Sequence, residues 1–232
     1  MTSTIDPLLE AVRARTQKVF RAGGGSRPEV RLVEHHGKFA VLKDYTHADP
    51  LFHRLVGPLS VRREARALRL LDGVPGVPKL LATFGKDAVL LEFVDGPSAR
   101  DLPRGAFSPE FFERLYGVIE AMHRRGVAHC DLRSRGNILL GPGQTPYVVD
   151  FVANFRQGYW WNPLTRWMFA KFCAADRGAV ARLKKSHAPE LLTTDEQAVL
   201  ARDRKTPLER GARVVGRGIR DLSRWLLTRQ QK

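Results

Sequence analysis

The chain has 232 residues, of which 43% are hydrophobic and 27% charged. That composition fits one folded domain, or two small lobes about a cleft, and excludes a disordered chain. No apolar run approaches the ~18 residues of a spanning helix, and two cysteines, Cys130 and Cys173, cannot build a disulfide scaffold and lack zinc-ligand spacing. The net charge of +15 is uneven: residues 1–151 carry 22 Lys/Arg against 17 Asp/Glu, whereas residues 152–232 carry 17 against 7. Such a field favours an anionic partner: nucleic acid, a phosphorylated substrate or an acidic membrane surface. Residues 1–10 hold Asp6, Pro7 and Glu10 and no apolar h-region, so the cytoplasm is the expected compartment.

Residues 5–18 read as a short helix, with Asp6 as cap, Pro7 in the first turn and Leu8, Leu9 and Val12 on one face. Val19 and Phe20 lead into Gly23-Gly24-Gly25-Ser26. Residues 30–33 and 39–45 read as a hairpin about His36-Gly37-Lys38. Residues 46–59 read as loop. Ser60 then caps a helix bearing Val61, Ala65, Leu68 and Leu71. Strands are expected at 79–84 and 88–94, and Asp95-Gly96-Pro97 reads as a hinge. Residues 109–125 have helical spacing of Phe112, Leu115, Ile119 and Met122. Short strands at 138–140 and 147–149 flank Gly141-Pro142-Gly143, and from Phe155 the chain reads as helical and basic.

The chemistry lies in residues 129–150. His129-Cys130-Asp131 is followed by Asn137, and Asp150-Phe151-Val152 comes nineteen residues after Asp131. A carboxylate and a carboxamide on one loop, with a second carboxylate at a hairpin end, suit magnesium-assisted phosphoryl transfer. One Asp accepts the proton of the attacking hydroxyl; the Asn and the other Asp hold Mg²⁺. Upstream, Val41-Leu42-Lys43 ends a strand and Glu64 lies on the next helix. Each of these, taken alone, is an ordinary surface residue or loop brace; the order of the set carries the signal.

In these motifs, over roughly residues 19–155, the chain resembles the protein-kinase superfamily. The likeness is to its small bacterial lipopolysaccharide-core (Kdo-type) sugar kinases and to RIO-type atypical kinases. The resemblance implies an α+β, bilobal fold with a small β-rich N-lobe and a helical C-lobe. It implies Asp131 as catalytic base, Lys43 on the nucleotide phosphates with Glu64 fixing it, and Arg133 neutralising the transferring phosphoryl group. Asn137 and Asp150 would hold Mg²⁺. Glu92 and Val94, in Leu91-Glu92-Phe93-Val94, would contact adenine through the backbone, and Gly24 and Gly25 would cradle the phosphates of ATP. The sequence departs from the family pattern in several places. Asn137 lies six positions after Asp131, Cys130 replaces the usual arginine, Val152 replaces the glycine, and Gly23-Gly24-Gly25-Ser26 is not G-x-G-x-x-G. No A-P-E segment follows Asp150, which argues against ordinary peptide docking. Gly136 makes a bulge at 134–136 inexpensive. Cys130 reads as a buried, inert thiol.

All four tryptophans, Trp160, Trp161, Trp167 and Trp225, lie in the last third, with Tyr159, Phe169 and Phe172 near the first three. They are either helical-lobe core or a membrane-interface cluster. Arg210, Arg213, Arg217, Arg220 and Arg224 form one stripe, and Leu208, Ala212, Val215, Ile219, Leu222 and Leu226 the opposite one. That pattern fits a terminal helix packed on the domain, or one lying on an anionic membrane. No RNA-stacking motif is present, so nucleic acid is disfavoured.

The expected organisation is an N-terminal helix (1–18), an N-lobe (19–94), a C-lobe (95–200) and a basic amphipathic helix (201–232). The expected activity is transfer of the ATP γ-phosphate to the hydroxyl of an anionic sugar or glycolipid, with the enzyme peripheral at the inner membrane face. A RIO-like protein Ser/Thr kinase and a pseudokinase nucleotide-binding scaffold are the alternatives.

Overall fold

The structure is a computed structural model of the chain and describes residues 6–25, 27–158 and 161–203. Asp6 accepts the Leu8 N–H at 2.9 Å and Pro7 opens the first helix, α1 (Pro7–Arg13). The helix is shorter than the sequence predicts. Residues 16–21 instead form an edge strand, β1 (Thr16–Arg21), antiparallel to β2 (Glu29–His35). Thr16, Val19 and Phe20 favour a strand, and the ladder to β2 satisfies backbone groups that a longer helix would have used internally. The strand β3 (Lys38–Asp44) follows in the predicted hairpin.

Residues 46–59 are not all loop. Pro50 and Pro58 sit in the first turns of two helices, α2 (Pro50–Leu55) and α3 (Gly57–Leu70), where a missing N–H costs nothing. Ser60 therefore lies inside α3 and is not its cap; its hydroxyl donates to the Val56 carbonyl at 2.9 Å. β4 (Leu80–Phe84) and β5 (Ala88–Glu92) complete a five-stranded antiparallel sheet, ordered β1-β2-β3-β5-β4. Leu9 and Val12 of α1 cover one face of this sheet, against Val33, Ala40, Leu42 and Leu90. Val61 and Leu68 of α3 pack on Val89 and Leu91 of the other face.

Residues 95–97 pass so close to the next hairpin that a Cβ on Gly96 would overlap the Leu140 carbonyl. Backbone bonds from Leu140 to Pro97 (2.9 Å) and from Ala99 to Ile138 (2.8 Å) fix this crossing. Ser108 caps α4 (Pro109–Arg124), whose Phe111, Phe112, Leu115, Ile119 and Met122 are all buried. Two pairs of short strands follow. β6 (Val127–Ala128) pairs with β9 (Phe155–Arg156), and β7 (Ile138–Gly141) with β8 (Thr145–Val148). The β6–β9 pair is too short for sequence periodicity to show. Asn162 caps α5 (Pro163–His187), whose Ala179, Val180 and Leu183 join the core shared by α3, α4 and β5–β8.

A second unit begins at Leu192. In it, Thr193 and Glu196 cap α6 (Thr194–Asp203) reciprocally, at 2.9 and 3.2 Å. The arginine and leucine stripes of residues 208–226 lie outside the described residues, as do Tyr159, Trp160 and Trp225. Among the described residues no helix is long and apolar enough to cross a membrane.

Candidate active site

Alternation along β3 decides which face Lys43 serves. Ala40, Leu42 and Asp44 point to the α1 side and are fully buried, so Lys43 points to the α3 side. There its ammonium meets Glu64 of α3 at 2.6 Å and Asp150 at 3.0 Å. Glu64 is fully buried, whereas Asp150 remains 46% exposed at its side chain. Burial alone would pull the Lys43 pKa down; Glu64 and then Asp150 outweigh it and hold the ammonium above its ordinary value. Burial pushes the Glu64 carboxyl up, partly offset by Lys43. Burial would also raise Asp150, but Lys43 overrides it and holds that carboxyl down.

The loop after β6 carries the second group. Asn137 donates from Nδ2 to the Asp131 carbonyl at 3.0 Å and to its carboxylate at 3.2 Å. The extra residue between Asp131 and Asn137 is taken up by two successive tight turns, Ser134 N–H to Asp131 carbonyl (3.2 Å) and Asn137 N–H to Ser134 carbonyl (2.9 Å). Val149 N–H donates to the Asn137 carbonyl at 2.9 Å, which joins this loop to the residue before Asp150. Asp131 and Arg133 are exposed.

Lys43, Glu64 and Asp150 thus form one contact chain, and Asp131 and Asn137 another, tied through Val149. Glu92 and Val94 stand at and just past the end of β5; the Glu92 N–H pairs with the Lys79 carbonyl at 2.9 Å. Gly24 and Gly25 form the turn between β1 and β2. Magnesium takes oxygen ligands. The donor set fits it: with Nδ2 spent on Asp131, Asn137 presents its amide oxygen elsewhere, and Asp150 is ionised and partly open.

Three positioning residues escape the sequence motifs. Asp176, buried in α5, accepts the backbone N–H groups of His129 (2.7 Å) and Cys130 (3.0 Å) and faces His123 Nε2 at 3.1 Å. A lone acid among the small residues of α5 is the sequence signal that could have found it. Arg63 and Asn154 clasp each other. Arg63 Nε donates to the Val152 carbonyl at 3.0 Å and Nη2 to the Asn154 carbonyl, while Asn154 Nδ2 donates to Phe151 (2.6 Å) and Arg63 (3.2 Å) carbonyls. His129 braces the loop, its Nε2 2.9 Å from the Val149 carbonyl and its ring 4.8 Å from Phe151; burial lowers its pKa. Burial pushes the Cys130 thiol up to about 12, so it is no nucleophile at neutral pH. Trp161 and Trp167 are 62% and 53% exposed, which removes them from the helical-lobe core.

A five-stranded antiparallel lobe followed by a helical lobe, with this loop between α4 and α5, is the protein-kinase-like fold. Among the solved structures that share it is the Rio2 kinase from Chaetomium thermophilum, with a TM-score of 0.58 and 20% identity over 81% of this chain and 62% of that one. The ADP/Mg²⁺-phosphoaspartate complex of that kinase matches with a TM-score of 0.57 and 21% identity, over 81% and 60%. The chain therefore spans about three fifths of the length of these structures. No family model and no curated protein matches the sequence.

Proposed function

We propose that the chain is an ATP-dependent phosphotransferase that moves the γ-phosphate to a hydroxyl group. The observation that carries this is the bridge from Lys43 to both Glu64 and Asp150, beside the Asp131–Asn137 pair. In this reading Lys43, oriented by Glu64, holds the α/β-phosphates. Asn137 and Asp150 would hold Mg²⁺, which would neutralise charge on the phosphates. Asp131 accepts the proton of the acceptor hydroxyl as its oxygen bonds to the γ-phosphorus and the bond to the ADP oxygen breaks. Arg133, two residues on, offsets charge on the phosphoryl group in flight. Glu92 and Val94 would meet the adenine through their backbone.

The acceptor favoured is an anionic sugar or glycolipid hydroxyl at a membrane face. Trp161 just before α5, and Leu164 and Trp167 in its first turns, stay 62%, 63% and 53% exposed and support it. A protein Ser/Thr hydroxyl is the second reading, favoured by the fold shared with Rio2 kinase.

The test is transfer from [γ-³²P]ATP with Mg²⁺ into envelope lipid extract and, separately, into soluble protein, by wild type and Asp131→Ala. Loss of a general base lowers turnover by about 10²–10⁴-fold; nucleotide binding should persist in the variant. Label in lipid supports the first acceptor and label in protein the second. ATP binding without transfer or hydrolysis would leave a nucleotide-binding scaffold. Equal turnover by the variant would remove Asp131 from its role.

A further inference from the structure

The resemblance to kinases places the nucleotide phosphates on the backbone of Gly24 and Gly25, but the structure gives much of that backbone other partners. The Gly24 N–H donates to the Arg27 carbonyl at 3.4 Å, and the Gly24 carbonyl accepts the Arg27 N–H at 3.2 Å, which closes the tip on itself. The Gly25 carbonyl accepts the Asp49 N–H at 3.0 Å. A Cβ on Gly23 would lie 3.0 Å from the His47 Cβ and 3.2 Å from the Glu29 Cβ. The turn is fastened to the segment beyond β3 by the Asp49 N–H. A backbone anion site needs several N–H groups converging on one point, and here the Gly24 N–H is turned to the Arg27 carbonyl.

Arg21 stands at the base of the same turn. Across the sheet Arg21 lies opposite Val30, Val30 opposite Lys43, and Lys43 opposite Val89. Residues directly opposite one another share a face. Arg21 and Lys43 therefore rise from the same face, two strand spacings or roughly 10 Å apart. It is the face on which Lys43 reaches Asp150 at 3.0 Å. Arg21 is exposed. Its Nε donates to the Pro28 carbonyl at 3.3 Å, which anchors the guanidinium to the turn and uses one of its five N–H donors.

We propose that Arg21 is a phosphate-binding residue that holds the polyphosphate of a bound nucleoside di- or triphosphate from the sheet side, across from Lys43. It takes over the task that a glycine-rich turn performs with backbone amides. A planar, permanently charged fork suits phosphate oxygens. The inference rests on the nucleotide reading of the site and adds a ligand-binding role that no sequence motif marks.

Calorimetric titration of the full chain with MgADP, tripolyphosphate and adenosine tests it, using wild type, Arg21→Ala, Arg21→Lys and Lys38→Ala. Lys38→Ala removes the same charge from the far end of β3. Arg21→Ala should weaken MgADP and tripolyphosphate at least about tenfold, the usual scale of a charge-assisted contact. Adenosine should bind unchanged, Arg21→Lys should recover part of the loss, and Lys38→Ala should bind as wild type. Unchanged MgADP binding by Arg21→Ala, or an equal loss in Lys38→Ala, would overturn the assignment while leaving the nucleotide reading intact. Wild type that binds no MgADP would remove the nucleotide reading, and this one with it.

Discussion

Asp176, in the middle of α5, accepts the backbone N–H groups of His129 and Cys130 at 2.7 and 3.0 Å, and so holds the loop that carries Asp131 from behind. Cys130 has φ of +68°, a left-handed conformation that a side chain with a Cβ adopts at a cost. The carboxylate stabilises that backbone by taking both N–H groups at once. Asp176→Ala leaves the buried His129 N–H and the half-buried Cys130 N–H without this partner and should cost about 3 kcal/mol of stability. Asp176→Asn retains one acceptor oxygen and turns an amide donor towards an N–H. Urea denaturation should find it intermediate, with turnover falling further than stability alone accounts for. A variant with wild-type turnover would show that the loop holds its shape unaided.

The Lys43–Glu64 pair predicts a pH-dependent defect. Glu64 is fully buried and its carboxyl is already raised by burial, with Lys43 offsetting part of that rise. Lys43→Met removes the offset, so the folded state keeps a proton on Glu64 that the unfolded chain releases above its ordinary pKa of 4.5. A group whose folded pKa is raised contributes stability below the unfolded pKa and loses it as pH rises. The deficit of Lys43→Met relative to wild type should therefore grow from pH 5 to pH 8, by at most about 1.4 kcal/mol per unit. Glu64→Gln in the same background should flatten the curve. Parallel stability profiles for Lys43→Met and wild type would refute the coupling.

Much of the site was legible because it is built from short, ordered motifs. Lys43, Glu64, Asp131, Asn137 and Asp150 are each flanked by periodicity that assigns a strand end, a helix or a loop. What stayed hidden depends on residues far apart in the chain. Asp176 is 47 positions from His129, and Asn154 is 91 from Arg63; no local pattern links such pairs. The helix of residues 5–18 was overextended because Leu8, Leu9 and Val12 set the period and nothing local announced that Thr16–Arg21 would find a ladder partner in β2. The Gly23–Ser26 run was visible, but not that the Asp49 N–H binds the Gly25 carbonyl.

The clasp between Arg63 and Asn154 couples the helix carrying Glu64 to the turn carrying Asp150. Asn154 is 3% exposed, and its Nδ2 bonds two carbonyls, one on each side of the joint. Asn154→Ala should cost about 2 kcal/mol. Its distinctive effect is local: amide exchange should quicken in α3 and in residues 150–154 ahead of the rest of the core. MgADP affinity should fall as Asp150 loses its fixed backbone. Uniform acceleration across the chain would mark the clasp as a general stabiliser with no special hold on the site.

The exposed aromatic patch at the N-terminal end of α5 gives the acceptor reading its most direct test. Trp161, Leu164 and Trp167 recur at intervals of three, and Lys171 Nζ lies 5.6 Å over the Trp167 ring. Apolar rings with polar tips beside a cation suit the headgroup level of an anionic bilayer, and the arginine stripe of residues 210–224 adds charge to the same chain. The full chain should cosediment with vesicles containing a quarter phosphatidylglycerol and be released as salt rises, because screening shortens the reach of the arginines to about 10 Å at 0.1 M. Trp161→Ser with Trp167→Ser should lower vesicle affinity several-fold while leaving the salt dependence in place, since the rings act through apolar burial and the arginines through charge. Soluble ATP hydrolysis should be unaffected, as neither ring is part of the Lys43–Asp150 site. Vesicle binding indifferent to both substitutions would detach the aromatic patch from any membrane role and shift weight to a protein acceptor.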